Sequence, residues 1–190
     1  STTTMQVTTR PGVAWIITLP DWLSAVVNGN EKVPSNGIIN YKGPAEVLFK
    51  AVSANPNATE RELSFGMDIN GTNQNITVTQ EASEFSVVGA KTKITKEAKS
   101  TAVGSVTATA GLKWTVASET NNGITVSPTN GSGDAVLTFT ASANTGADRI
   151  DSFTVSVVGA DPVRKATVKA IQEAGINVVT INNTIVESFK

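Results

Sequence analysis

Trp22 and Tyr41 stand among the asparagines Asn28, Asn30, Asn36 and Asn40. Sugar recognition needs a flat aromatic face to stack on a pyranose ring and amides to read its hydroxyls. Trp22 and Tyr41 could supply the first, and Asn36 and Asn40 the second. The competing reading has Trp22 packing across the end of its domain and Tyr41 covering a loop. An exposed aromatic is informative only when it belongs to a cluster.

Other chemistry is poorly provided for. The chain of 190 residues has no histidine and no cysteine. The commonest general base, the best nucleophile and the disulfide and zinc-ribbon frameworks are therefore missing. Glu60, Glu62 and Asp68 alternate beside Arg61, as a solvated strand face does. No acidic pair is framed by an aromatic cleft, so no catalytic residue is assigned. The loops Asn130–Asp134 and Asn144–Asp148 resemble calcium loops in composition but have too few carboxylates, which leaves no metal site and no cofactor. Fifteen basic and sixteen acidic residues give a net charge of −1, with no electrostatic footprint for nucleic acid. No apolar run approaches the ~20 residues of a transmembrane helix.

The elements that must position these residues are strands. Leu63, Phe65, Met67 and Ile69 alternate with polar neighbours, as do Val47, Phe49 and Ala51. Leu137, Phe139 and Ala141 repeat the pattern, and so do Phe153, Val155 and Val157. Period-2 runs of this kind read as half-buried antiparallel strands. Asn70-Gly71, between two such runs, fits a tight primed turn. The Glu97–Ala102 stretch is the one place where a helical turn is expected. Aromatics make up only 5% of the chain, so small and β-branched side chains must fill the interior.

The chain also repeats itself. Trp15 and Trp114 each open an alternating strand, and the stretches ending Gln80-Glu81-Ala82 and Gln172-Glu173-Ala174 close the two copies. The offset is roughly 90–100 residues, the size of one immunoglobulin-like sandwich. Asn55 and Arg61 answer to Asn144 and Arg149. Features present twice read as scaffold: Trp15 and Trp114 as core plugs, Gln80 and Gln172 as buried amides satisfied by backbone. Trp22, Tyr41 and the extra stretch at about 28–45 occur once, which is why binding is sought there.

The order Trp114-Thr115-Val116-Ala117-Ser118-Glu119, Ile124–Pro128, Gly131-Ser132-Gly133, Asn144, Arg149 and Ala170–Gly175 resembles the BACON domain (Bacteroidetes-associated carbohydrate-binding, often N-terminal). The first copy shares Trp15, Trp22-Leu23, Asn55, Arg61 and Gln80, whereas the second has Asn121-Asn122-Gly123 where the family has a second tryptophan. The resemblance implies an all-β chain of two tandem immunoglobulin-like antiparallel sandwiches, with about seven strands each. The expected domains are 1–83, with an insertion at about 28–45, and 84–175. The segment 176–190 is a strand-like tail, read as the start of a third repeat. It further implies a non-catalytic module of a longer bacterial protein, extracytoplasmic and either on the cell surface, periplasmic or secreted. Such a module binds host or dietary glycans or mucin, or else serves as a spacer for a neighbouring domain.

Overall fold

A computed structural model describes residues 1–175. The expected tail at 176–190, and the third repeat it was read to begin, lie outside the described residues. All regular structure among the described residues is β. The first eight strands are β1 (Thr2–Val7), β2 (Ala14–Thr18), β3 (Leu23–Val27), β4 (Glu31–Val33), β5 (Ile38–Lys42), β6 (Ala45–Ala51), β7 (Arg61–Ile69) and β8 (Thr72–Gln80). They form two antiparallel sheets, ordered β1-β6-β3-β4 and β5-β2-β7-β8. The next eight are β9 (Phe85–Val88), β10 (Ser100–Ala108), β11 (Lys113–Ser118), β12 (Ile124–Ser127), β13 (Asn130–Ser132), β14 (Ala135–Ala141), β15 (Arg149–Val157) and β16 (Lys165–Gln172). Their sheets run β12-β14-β10-β9 and β13-β11-β15-β16. Each pair of sheets closes on its own core, giving two immunoglobulin-like sandwiches.

Alternation dictates the cores. Trp15, Ile17, Ile39, Val47 and Phe49 meet in the first, each at most 1% exposed. Trp114, Leu137, Phe139, Phe153 and Val155 meet in the second under the same limit. The outward positions on the same strands are mixed: Thr18, Lys50, Thr138 and Ser156 are polar, whereas Ile16, Ile38 and Val136 are exposed hydrophobics. Asn70 and Gly71 both take positive φ, 50° and 82°, at the β7–β8 hairpin. Two such residues match the twist of the strands they join.

Seven strands correspond between the sandwiches, and each has an eighth of its own. In the first the eighth is β4, an edge strand built by the extra stretch and paired with β3. In the second it is β9, which pairs with β10. The segment after the first Gln-Glu-Ala therefore opens the second sandwich rather than closing the first. The helical turn expected at Glu97–Ala102 is replaced by a tight turn at Glu97–Lys99, with Lys99 at φ 61°, after which β10 begins at Ser100. Ladder bonds from Ser100 and Thr101 to Ala141 and Thr140 claim the backbone that a helix would need.

Candidate functional site

The four sugar-contact candidates occupy different surroundings. Trp22 is 9% exposed and lies beneath the Arg61 guanidinium, whose carbon sits 4.4 Å from the ring centroid. Arg61 Nε donates to Gln80 Oε1 at 2.7 Å, and Gln80 Nε2 donates to Ser53 O at 2.9 Å. Burial lowers the Arg61 pKa and the Asp21 charge opposes that shift. Trp22 is thus covered by a cation and offers little face for stacking.

Tyr41 is half-buried against Trp15, with ring centroids 5.5 Å apart. Its hydroxyl accepts a 2.7 Å bond from Asn28 Nδ2, while Asn28 Oδ1 accepts from Glu46 N. Asn40 is exposed and adjacent to Tyr41 on β5, so its side chain leaves by the opposite face. Asn36 is exposed at the far end of β5, where its N–H bonds Pro20 O. That end is about 15 Å along the strand from Tyr41. The structure therefore brings Tyr41 to Trp15 and Asn28, but does not gather Trp22, Tyr41, Asn36 and Asn40 into one concave patch.

The paired residues sit in matching places. Trp15 Nε1 donates to Gly43 O at 2.8 Å, and Trp114 Nε1 donates to Gly133 O at 2.9 Å. Asn55 Nδ2 reaches Thr59, Gln80 and Glu81 carbonyls, and Asn144 Nδ2 reaches those of Ala147 and Glu173. Gln172 is fully buried, with Nε2 bonded to Thr95 O and Ser142 O.

Two residues that sequence reasoning passed over prove central. Asp151 is fully buried and accepts from Thr120 Oγ1, Asn122 N and Ile124 N at 2.7–2.9 Å. Its signal was available, since it is in phase with Phe153, Val155 and Val157 on an inward face. Arg164 sends Nη1 to Pro56 O, Asn57 O and Ser83 Oγ, and Nη2 to Ser83 O, all within 3.0 Å. Nothing local marks an arginine that reads carbonyls some hundred residues away.

Beside Asp151 lies an open cleft of about 550 Å³. Ser118, Thr120, Asn121 and Thr125 ring it, over Ile124 and Phe153. Asp151 fixes the Thr120–Ile124 turn that forms one wall. Among the described residues no group of acidic side chains could hold a metal ion.

Residues 113–173, spanning β11 to β16, match the family model described as "BACON: Putative binding domain, N-terminal". A BACON domain is present in the second sandwich. No curated protein matches the chain in sequence. Among solved structures, the S-layer protein SbsC domains 4 and 5 are similar at 13% identity and a TM-score of 0.35, covering 84% of this chain and 95% of that one. The titin I9–I11 tandem gives 9% and 0.37, with 92% of this chain covering 60% of that one. The titin domains z1z2, solved in complex with telethonin, give 16% and 0.33, with coverages of 94% and 90%. The cleft beside Asp151 lies within the matched BACON residues, whereas Trp22 and Tyr41 lie outside them.

Proposed function

We propose that the chain is a non-catalytic module of an extracytoplasmic bacterial protein, in which two domains, 1–83 and 84–175, act as a braced spacer. Arg164 carries this reading. A guanidinium is a rigid planar fork, and here it makes four bonds to the first domain and its exit at Ser83. Asp161 N adds a 2.9 Å bond to Asn57 Oδ1. Domains joined by a short linker move relative to one another unless their contact is firm. A clasp that reads main-chain carbonyls holds an angle rather than a ligand. The test is small-angle scattering on the parent and Arg164→Ala. The variant should show a broader distribution of maximum dimensions while both sandwiches keep their unfolding midpoints. Identical scattering would remove the support for a brace.

A second reading, recognition of host or dietary glycans or mucin, is favoured by the BACON match and the cleft beside it. Hydroxyls and an amide ring an apolar floor there, a composition suited to a polyhydroxylated ligand. Titration with mucin glycans should then give binding that Asn121→Ala weakens. Trp22→Ala in the same series reports on the aromatic end of the first domain. Flat titrations at millimolar sugar would leave the spacer alone.

A further inference from the structure

The cleft beside Asp151 has a counterpart in the first sandwich, and there it is filled. Register aligns β12 with β3, so that Ile124 answers to Leu23 and Val126 to Ala25. It aligns β11 with β2, so that Val116 answers to Ile17 and Ser118 to Leu19. In the first sandwich Val33 of β4 pairs with Ala25, and Ile39 of β5 pairs with Ile17. Between these two pairs the chain crosses from one sheet to the other. Asn36 N bonds Pro20 O at 3.2 Å, and Leu19 N bonds Gly37 O at 2.9 Å. Val33 is 6% exposed and Ile39 0%.

The second sandwich lacks that stretch, for Ser127 leads through Pro128 and Thr129 straight into β13. β13 pairs with β11 only as far as Thr115. Among the described residues β12 pairs with β14 alone. The interior registers the loss. Val116 and Val126 are half-buried, whereas Ile17 is 0% exposed and Ala25 2%. Val116, Ser118 and Val126 all line the cleft of about 550 Å³.

Main-chain groups face this gap from both walls. Alternate residues of an antiparallel strand turn their N–H and C=O to opposite edges. Glu119 N bonds Ser152 O on the β15 side, and Val116 N bonds Thr129 O on the other. Ser118 therefore turns its N–H and C=O to the cleft edge, as Leu19 does toward Gly37. Ser142 N bonds Gly123 O on the β14 side, which leaves Ile124 and Val126 facing away from β14. Asp151 takes the Ile124 N–H. Val126 keeps both of its groups for a strand alongside, as Ala25 does for Val33.

We infer that this cleft is a strand-acceptor site, and that its ligand is an extended peptide segment of a partner protein. The first sandwich supplies the template. The segment carries a β-branched side chain at the place of Val33 and a carbonyl at the place of Gly37. Main-chain pairing gives such a site its affinity, and the pocket for the alternate side chain gives its selectivity. Glu119 is the charged residue in the lining, so an acidic residue in the segment is disfavoured. Asp151 already fixes the Thr120–Ile124 turn, so this wall stands before a ligand arrives. The inference goes beyond the spacer reading and competes with the glycan reading for the same cleft.

Amide NMR titration of the 190-residue chain with a synthetic peptide of residues 32–39, capped at both ends, tests this. The Ser118 and Val126 signals should shift and saturate at about millimolar peptide. A peptide N-methylated at its Val33 position keeps the side chain but loses the donor that faces Ala25 in the first sandwich. It should bind about tenfold more weakly. Val126→Pro makes the same cut from the protein side, and an edge position whose N–H faces away from its ladder tolerates proline. Should that variant fail to fold, the N-methylated peptide makes the comparison on the parent chain. Absence of shifts at several millimolar peptide would overturn the proposal. So would equal binding by the N-methylated peptide or by a folded Val126→Pro. Mucin glycans that move the same signals while the peptide does not would give the cleft to a sugar instead.

Discussion

The two sandwiches support the same pair of strands in opposite ways. Arg61 and Arg149 hold the same register against Gln80 and Gln172. In the first sandwich the guanidinium covers Trp22, and the position two residues on is Leu63, which is 36% exposed. In the second, where Asn121-Asn122-Gly123 replaces the tryptophan, the guanidinium bonds Asn122 O, Ala143 O and Ser142 Oγ. The position two residues on is Asp151, which collects the N–H groups of the turn. One fold thus closes the same end with an apolar plug or with a polar net. The two devices fail differently when cut, because a plug loses packing while a net strands its partners.

Trp22→Ala should have the largest effect. Truncating a buried tryptophan costs about 4 kcal/mol, and here it also uncovers Arg61. Denaturant unfolding should show the loss in the first sandwich's transition alone. A cost near zero would mean that Trp22 faces solvent in solution, and the contrast between plug and net would collapse.

Asp151→Leu converts the net toward the first sandwich's arrangement. It leaves Asn122 N–H and Ile124 N–H without their acceptor, and Ile124 is 2% exposed. Stranding buried donors costs about 3 kcal/mol in total. The same unfolding experiment reads it, now in the second transition. A stabilised variant would show that the leucine solution suits either sandwich and that the carboxylate is retained for another reason.

What could be read from the sequence follows from whether a residue's role repeats. Strands were legible because alternation is local, and the correspondence of Trp15 with Trp114 because both open a strand at the same offset. Trp22 and Tyr41 were singled out because they lack counterparts, but a residue without a counterpart can still be packed. Tyr41 is opposite Trp15 where Gly131 is opposite Trp114, a pairing that only the register reveals. Arg164 was illegible because three of its four bonds, to Pro56, Asn57 and Ser83, go to main-chain carbonyls, which any residue carries. The eighth strands fall outside the expected seven because β4 and β9 arise from segments that differ between copies, the first of them read as either a longer loop or an added edge hairpin.

The Tyr41 and Gly131 pairing gives a third way to sharpen the contrast. A Cβ at Gly131 would lie 2.3 Å from Trp114 Cζ2, and Trp114 is 1% exposed in a filled core. The ring has nowhere to retreat, so Gly131→Ala should destabilise the second sandwich by about 2 kcal/mol. Tyr41→Ala in the first sandwich removes a cover rather than forcing a clash. Its circular dichroism and near-ultraviolet tryptophan signal should change less than those of Gly131→Ala.

The smallest effect belongs to the ion pair that ties Lys93, before β10, to the loop before β15. Lys93 Nζ lies 2.8 Å from Asp148 Oδ2, and both side chains are about half exposed, at 52% and 44%. The bond from Lys93, then the bond from Ala174 N–H, lowers the Asp148 pKa below its usual 3.8. A depressed carboxylate contributes stability that is present above the unfolded pKa and is lost as pH falls through the folded one. Asp148 in turn raises Lys93 above 10.5, so its contribution holds below that value and fades as pH rises through the folded pKa. Unfolding midpoints of the second sandwich should therefore decline slightly at both extremes, and Lys93→Met should flatten both declines. Salt should do the same, since exposed pairs are screened. A decline in Lys93→Met equal to the parent's would place the pH dependence elsewhere in the molecule and leave the stretch around Ile94 held by backbone bonds such as Ile94 N to Ile171 O.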